Sequence, residues 1–243
     1  LDAIHVNHHS LRRKFDGDLT QLDGFKEGDW WVQDVAAALP AKLLNATSND
    51  SVIDLCAAPG GKTAQLISTG AKVIAVEKNQ KRINQLEKNL KRLKLKADLV
   101  LADGTKFRPK HPVDLVLLDA PCSGTGTIRR RPDILNHRVA ANITLLQKIQ
   151  WQLLTSALDW LKPGGKLIFS TCSLQPEEGE DVVKTVIQEA EKRYQIDCIE
   201  PNEAGIFSKS IDKIGCLRIL PSDYEEIGGV DGFFIARIIR TQP

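Results

Sequence analysis

Cys122, in Asp119-Ala-Pro-Cys-Ser123, and Cys172, in Ser170-Thr-Cys-Ser173, each stand where an apolar run stops and a polar loop begins. A thiolate is a strong nucleophile toward an electron-poor carbon, and a second group beside it can assist the later expulsion of the sulfur. A free cysteine is more often a small buried hydrophobe, and either residue alone would be read that way. Both lie beyond strand ends, however, flanked by hydroxyl residues rather than by core, which directs the pair into one pocket and toward chemistry. Cys56 also follows an apolar run but sits in a glycine turn. Cys198 and Cys216 lack comparable settings and are expected to be structural.

The elements that must position these thiols are legible from residue 51 onward, where apolar runs alternate with longer amphipathic segments, the pattern of parallel strands joined by helices. Strand cores are expected at Val52 to Leu55, Val73 to Val76, Leu99 to Leu101, Leu115 to Leu118 and Leu167 to Phe169. Ile83, Leu86, Leu90 and Leu93 share one helical face, with Lys and Arg on the other. A second long helix is expected from Val139 to Leu161, stopped by Lys162-Pro163-Gly164-Gly165. After Gly228-Gly229, the run Phe233 to Ile239 reads as an antiparallel edge strand. Residues 1–48 lack the repeating period and read as a partial amino-terminal subdomain or linker, with 49–243 as the catalytic domain.

An open parallel sheet binds ligands beyond the carboxyl ends of its strands. The first strand runs into Asp54-Leu55-Cys56-Ala57-Ala58-Pro59-Gly60-Gly61-Lys62-Thr63, whose small residues and helix start suit a ligand pressed against the backbone. A P-loop needs glycine five positions before Gly61, where Cys56 stands, and a G-x-G-x-x-G fingerprint is also missing. Glu77 ends the second strand, where an acid can take both hydroxyls of a ribose, and Asp103 and Asp119 end the next two. Acids after three successive strands would repel a polyphosphate and suit an adenosine with a positive sulfonium. S-adenosyl-L-methionine has that form. With such a methyl donor the two thiols acquire a specific task, because carbon 5 of a pyrimidine becomes nucleophilic only after a thiolate adds to carbon 6.

Together, the stretches Asp54 to Thr63, Asp119-Ala-Pro-Cys-Ser-Gly-Thr-Gly126, Arg129 to Asp133 and Ser170 to Glu178 resemble the Sun/Fmu family of RNA cytosine-5 methyltransferases. The likeness runs from Trp30-Trp31-Val32-Gln33-Asp34 to Gly232-Phe233-Phe234 and is greatest with bacterial enzymes that methylate a cytosine of 16S ribosomal RNA. It implies a Rossmann-like class I S-adenosylmethionine-dependent α/β fold, with a mostly parallel seven-stranded sheet, an antiparallel edge strand and a small amino-terminal segment. It implies Cys172 as nucleophile, Cys122 as the group that promotes product release, and Asp119 as a contact to the cytosine edge near ring nitrogen 3. DNA cytosine-5 methyltransferases use their Pro-Cys thiol for attack; the additional Thr171-Cys172 reverses the roles here. Cofactor contacts fall to Cys56, Ala57, Ala58, Pro59, Gly60, Gly61 and Lys62, with Glu77, Asp103 and Asp119. Glu77 departs from the aspartate common in relatives, and its longer arm should still reach a ribose.

Arg129, Arg130 and Arg131, next to the Pro-Cys loop, are candidates for RNA phosphate contacts. The substrate base must be single-stranded or flipped out. The ribosomal relatives carry an amino-terminal domain resembling the antitermination factor NusB, which this sequence lacks, so the chain is expected to bind cofactor well and RNA poorly. The chain begins at Leu1 and contains no methionine, as an excised segment would, or a sequence from which modified methionines were omitted. Two other readings share these features: the same chemistry on transfer RNA, and a non-catalytic RNA-binding assembly factor.

The remaining properties bound the class. A chain of 243 residues that is 42% hydrophobic can bury a full core. A net charge of +2 does not by itself demand a nucleic-acid partner. Five cysteines without paired spacing, and no secretory signal, suggest reduced thiols in a cytoplasmic protein. Adjacent His8 and His9 with three scattered histidines suggest no metal, no apolar stretch approaches the roughly 20 residues of a membrane helix, and a monomer is expected.

Overall fold

The computed structural model describes residues 3–7, 10–137 and 140–242 of the chain. His8, His9 and Val139 lie outside the described residues. A short antiparallel pair, β1 (Ile4–Asn7) and β2 (Ser10–Arg12), precedes α1 (Val35–Leu43), whose first turn is capped by the Asp34 carboxylate accepting from the Ala36 N–H at 2.9 Å. Then come β3 (Ser51–Leu55), α2 (Gly61–Ser68), β4 (Lys72–Glu77), α3 (Gln80–Arg92), β5 (Asp98–Leu101) and β6 (Val113–Asp119). The second half holds α4 (Ile134–His137), α5 (Ala140–Asp159), β7 (Leu161–Thr171), α6 (Glu180–Glu189), β8 (Tyr194–Ile196), α7 (Pro201–Ala204), β9 (Leu217–Ile219) and β10 (Phe233–Arg240). All five expected strand cores fall within β3, β4, β5, β6 and β7.

The main sheet runs β5-β4-β3-β6-β7-β10-β8, with β9 also paired to β10, making eight strands rather than seven. β3 to β7 are parallel, and β10 is antiparallel to β7 as its apolar run suggested. The position of β10 differs from the expected edge. Its outer side is covered by β9 near Phe233–Ile235 and by β8 near Ile238–Arg240, so every residue from Phe233 to Ile238 is buried. Two short strands too weak in pattern to predict close the edge that one long strand would leave open.

Side chains alternate across the sheet with the period of two that strands impose. Ile53, Leu55, Val116, Leu118, Phe169 and Phe234 face α5 and α6. Val52, Leu115, Leu117, Ile168 and Ile235 face the other way, against α1, α2 and α7, whose Leu39, Leu43, Leu66 and Ala204 complete that core. The predicted stripe of α3 buries Ile83, Leu86 and Leu90 against Ala64 and Ala75. Residues Lys162–Gly165 do not simply link α5 to a strand. Val113 pairs with Leu161 and Leu115 with Lys166, so the four residues loop out within β7 before the pairing resumes. Among the described residues no helix is long and apolar enough to cross a membrane.

Parallel register brings the strand ends to one edge. Leu55 pairs with Val76 and Leu118, Glu77 with Leu101, and Asp119 with Ser170, so the residues that follow these strands share one crevice.

Candidate active site

At the end of β3 the chain turns sharply into α2. Cys56 takes φ +64°, the left-handed region that side chains enter only at a cost of roughly 1–3 kcal/mol. Its N–H and that of Ala57 both bond the Val76 carbonyl, at 2.9 and 3.2 Å. Gly60, at φ +106°, packs so tightly on α3 that a Cβ there would sit 2.5 Å from Leu86 Cδ1. α3 also holds the turn from outside: Arg82 donates to the Ala58 carbonyl and Asn89 to that of Pro59 at 2.8 Å. Below, Gln33 bridges the amino-terminal segment to α2, donating to Gln65 at 2.9 Å and accepting from the Trp31 indole at 2.8 Å.

A cavity of about 310 Å³ opens at this edge, in the range of small-molecule sites. Cys56, Glu77, Asp103 and Asp119 line it together with Cys122 and Cys172. Ala57, Ala58, Pro59, Gly60, Gly61 and Lys62 do not line it. Ala57 and Ala58 are packed into the core beside α3, and the Lys62 ammonium turns to Asp119, 2.8 Å from Oδ2 and 5.4 Å from the centre of the Phe233 ring. Ser170 donates to the other Asp119 oxygen at 3.0 Å, which fixes the carboxylate plane. Asp103 accepts from the Thr105 N–H and hydroxyl, and these bonds hold its carboxyl below its ordinary range.

The two sulfurs lie 3.5 Å apart, within hydrogen-bond reach of each other and not bonded as a disulfide. Their environments differ. The hydrogen bond between them lowers the pKa of Cys172, and the Lys62 charge acts in the same direction against burial and Asp119. Cys122 moves the other way, raised by the same hydrogen bond, by burial and by the charges of Cys172, Glu178 and Asp119. Cys56, buried beside Glu77 and Asp119, is pushed up to about 12 and stays a thiol. Cys198 is exposed and Cys216 buried, both among loops and strands away from the cavity.

Loops from across the chain hold this pair. The Gly126 N–H bonds the Cys172 carbonyl at 2.9 Å, and the Gly232 N–H bonds the Gly126 carbonyl at 2.8 Å. Thr125 accepts from the Leu174 N–H at 2.9 Å, and Arg218 donates to the Ser173 carbonyl at 2.6 Å. The three adjacent arginines separate. Arg130 chelates fully buried Asp231 through Nε and Nη2, Arg129 lies 3.7 Å from Asp34, and Arg131 lines the cavity. Asp34 in turn accepts from the Asp231 N–H at 3.2 Å, and burial beside Asp231 raises its pKa. Sequence reasoning missed Asp34 and Asp231 as a pair, since nothing local marks partners 197 residues apart.

Asp54 lies beneath the turn, 1% exposed, with Oδ2 accepting from Thr63 at 2.6 Å and Oδ1 without a partner. Burial pushes its carboxyl up from 3.8 to about 7, opposed by the Thr63 bond. The folded state thus keeps a proton that the unfolded chain has released, so this group's stabilising contribution is complete below about pH 4 and lost as pH rises through about 7. Asp54→Asn, which keeps the shape without the charge, is expected to flatten the decline of thermal stability between about pH 5 and 8. Unfolding midpoints of the two proteins across that range give the comparison, and parallel slopes would contradict it.

Among curated relatives, ribosomal RNA small subunit methyltransferase B of Salmonella paratyphi B is 37% identical over 224 residues, covering 90% of this chain and 49% of its own length. The corresponding Proteus mirabilis protein is 37% identical over 215 residues, covering 84% of this chain and 51% of its own. The chain spans about half the length of the curated relatives it matches. Among solved structures, NSun6 from Pyrococcus horikoshii with SFG superposes with a TM-score of 0.79 at 28% identity, covering 93% of this chain and 57% of that one. The family described as 16S rRNA methyltransferase RsmB/F matches residues 41–239, and with the fold, the strand-end acids and the paired thiols in place, the chain belongs to that family.

Proposed function

We propose that this chain is the catalytic part of an enzyme that transfers a methyl group from S-adenosyl-L-methionine to carbon 5 of a cytosine in 16S ribosomal RNA. One observation carries the reading: two sulfurs 3.5 Å apart on the wall of a cavity that also holds Glu77, Asp103 and Asp119. The residues fit the cofactor. Glu77 is buried, its Oε1 accepts from the Asn79 N–H at 3.0 Å, and its Oε2 has no hydrogen-bond partner, with the Arg82 guanidinium 3.4 Å away. That free acceptor suits a ribose hydroxyl, and Asp103 offers a second carboxylate on the same wall. When bound, S-adenosyl-L-methionine supplies an electrophilic methyl group on a positive sulfonium.

The protein's own groups do the rest. Cys172 as thiolate adds to carbon 6, forming the S–C6 bond and moving the C5=C6 electron pair toward carbon 5 and the N3 side of the ring. Asp119, fixed by its bonds from Lys62 and Ser170, faces the cytosine edge and favours the form with a proton on ring nitrogen 3. Once carbon 5 carries the methyl group, its remaining proton passes to water, the C5=C6 bond re-forms as the S–C6 bond breaks and Cys172 leaves as thiolate, and Cys122 beside it assists that elimination. Arg131, on the cavity wall, is placed for an RNA phosphate, whereas Arg129 and Arg130 brace the loop through Asp34 and Asp231.

Incubation of the protein, together with whatever further domains its full-length form carries, with labelled cofactor and 16S RNA, assembled small subunits or transfer RNA tests this reading. Label at carbon 5 of one 16S cytosine is expected; label only in transfer RNA redirects the substrate, and none anywhere rejects the reading. Glu77→Ala is expected to weaken cofactor binding about 10- to 100-fold, the effect of losing a hydrogen bond to a charged group. Calorimetry without RNA measures this directly, and unchanged affinity would remove Glu77 from the cofactor site.

A further inference from the structure

The outer face of α3 gathers positive charge without partners. Residues 78–96 hold eight lysines and arginines against a single acid, Glu87, in a chain whose net charge is only +2, so the rest of the molecule is net acidic. The buried stripe of Ile83, Leu86 and Leu90 turns this face away from the sheet, and Lys78, Lys81, Lys88, Lys91, Lys94 and Lys96 are all exposed. The two arginines are engaged elsewhere. Arg82 reaches Ala58 and Glu77, and Arg92 donates to the Phe25 and Trp30 carbonyls at 2.7 and 3.1 Å with its guanidinium 4.1 Å from the centre of the Phe25 ring. Among the described residues, no ion pair involves any of these lysines.

A helix packed on a sheet needs a polar outer face, but charges of mixed sign meet that need. Like charges three or four positions apart, as in Lys88, Lys91 and Arg92, repel one another. The helix dipole favours cations at the carboxyl end of α3, where Lys91 and Lys94 stand, yet it disfavours Lys81, the second residue of the helix, and Lys78 just before it. Neither solvation nor the dipole therefore accounts for the whole face. Lys78 also lines the cavity, so the basic face begins at the rim of the site. From Lys81 to Lys91 it extends about 15 Å along the helix axis.

We propose that the outer face of α3 is a contact surface for the phosphate backbone of the substrate RNA, holding the strand beside the cytosine that enters the cavity. The inference rests on the RNA methyltransferase reading above. An ammonium on a flexible stem meets a phosphate as a point charge whatever the neighbouring base. Each phosphate neutralised releases condensed counterions, and the repulsion among the lysines is relieved when a polyanion lies on them. Such contacts add affinity and orientation, not choice of sequence.

Binding of the full-length protein to 16S RNA and to a mixed-sequence single-stranded RNA, followed by fluorescence anisotropy across a range of salt, tests the proposal. The triple variant Lys81→Gln, Lys88→Gln, Lys91→Gln is expected to bind both RNAs about tenfold or more weakly at low salt, and to lower the slope of log affinity against log salt by about two. Lys184, on α6, and Lys209 and Lys213, in the chain before β9, are exposed at the opposite end of the sheet. Replacing those three by Gln removes the same charge and should leave affinity and slope nearly unchanged. Equal losses in the two triple variants would reduce the effect to net charge and overturn the proposal, as would an unchanged slope in the α3 variant or a parent protein that binds neither RNA. Cofactor affinity, measured by calorimetry with S-adenosyl-L-methionine, should be parental in the α3 variant. If it is lost, the three single Lys→Gln variants decide, each expected to lower the slope by about 0.7 and each rejecting the proposal if it does not. Binding is read without turnover, so a parent protein that transfers no methyl group leaves the slope comparison intact, and an unchanged slope in a protein that methylates RNA counts against α3 alone.

Discussion

Cys172→Ala is expected to abolish methyl transfer, and Cys122→Ala to accumulate a covalent protein–RNA adduct that survives a denaturing gel. The first loss should be on the order of 10⁴-fold or more, because removing a nucleophile removes the whole covalent route. The second follows from the division of labour between sulfurs 3.5 Å apart. Without Cys122 the thiolate of Cys172 still attacks, but the elimination that frees it lacks its assisting group. The same substitution removes the hydrogen bond that most lowers the pKa of Cys172, leaving burial to raise it. Adduct formation in Cys122→Ala should therefore need a higher pH than in Cys122→Ser, whose hydroxyl can still donate. Gel shifts across pH, with peptide mapping of the linked cysteine, read both effects. An adduct formed in Cys172→Ala through Cys122 would reverse the assignment.

How much of this site a linear reading reveals depends on the range of the interactions involved. Buried parallel strands are continuous apolar runs, so β3 to β7 and the residues after them stand out, and with them Glu77, Asp103, Asp119 and both thiols. The cofactor turn is also local: Cys56 to Lys62 are consecutive, although only Cys56 reaches the cavity wall. Charge composition misleads more readily. Arg129, Arg130 and Arg131 look alike in the sequence, and their roles differ only because Asp34 and Asp231 arrive from opposite ends of the chain. Glu178 is visible as the end of a motif, but its link to the Cys122 loop appears only when the Ser123 N–H, 55 residues earlier, is seen donating to it. Likewise β10 looks like an edge strand until β8 and β9, three residues each, cover its outer side.

Gly126→Ala is expected to disable the site through the backbone alone, although Gly126 is neither catalytic nor in the left-handed region. A Cβ at this position would lie 2.2 Å from the Gly232 carbonyl oxygen and 2.9 Å from that of Cys172. Both are main-chain atoms, so no rotamer change relieves the clash, and the loops must separate. The Cys172 carbonyl also accepts the Gly126 N–H, and the Gly232 N–H bonds the Gly126 carbonyl, so separation strains both bonds, which set the Cys122 loop against Cys172 and the start of β10. Overpacking of about 1–3 kcal/mol adds to about 1 kcal/mol for each weakened bond. A loss of about 3 kcal/mol lowers the unfolding midpoint by roughly 6–12 °C in a domain of this size. The catalytic loss should exceed what that instability explains at low temperature, because turnover needs Cys122 within reach of the Cys172 sulfur to assist the elimination. Methyl transfer measured well below the unfolding midpoint separates the two effects. A variant with parental transfer rates there would mean that the sulfurs keep their contact without the Gly126 crossing.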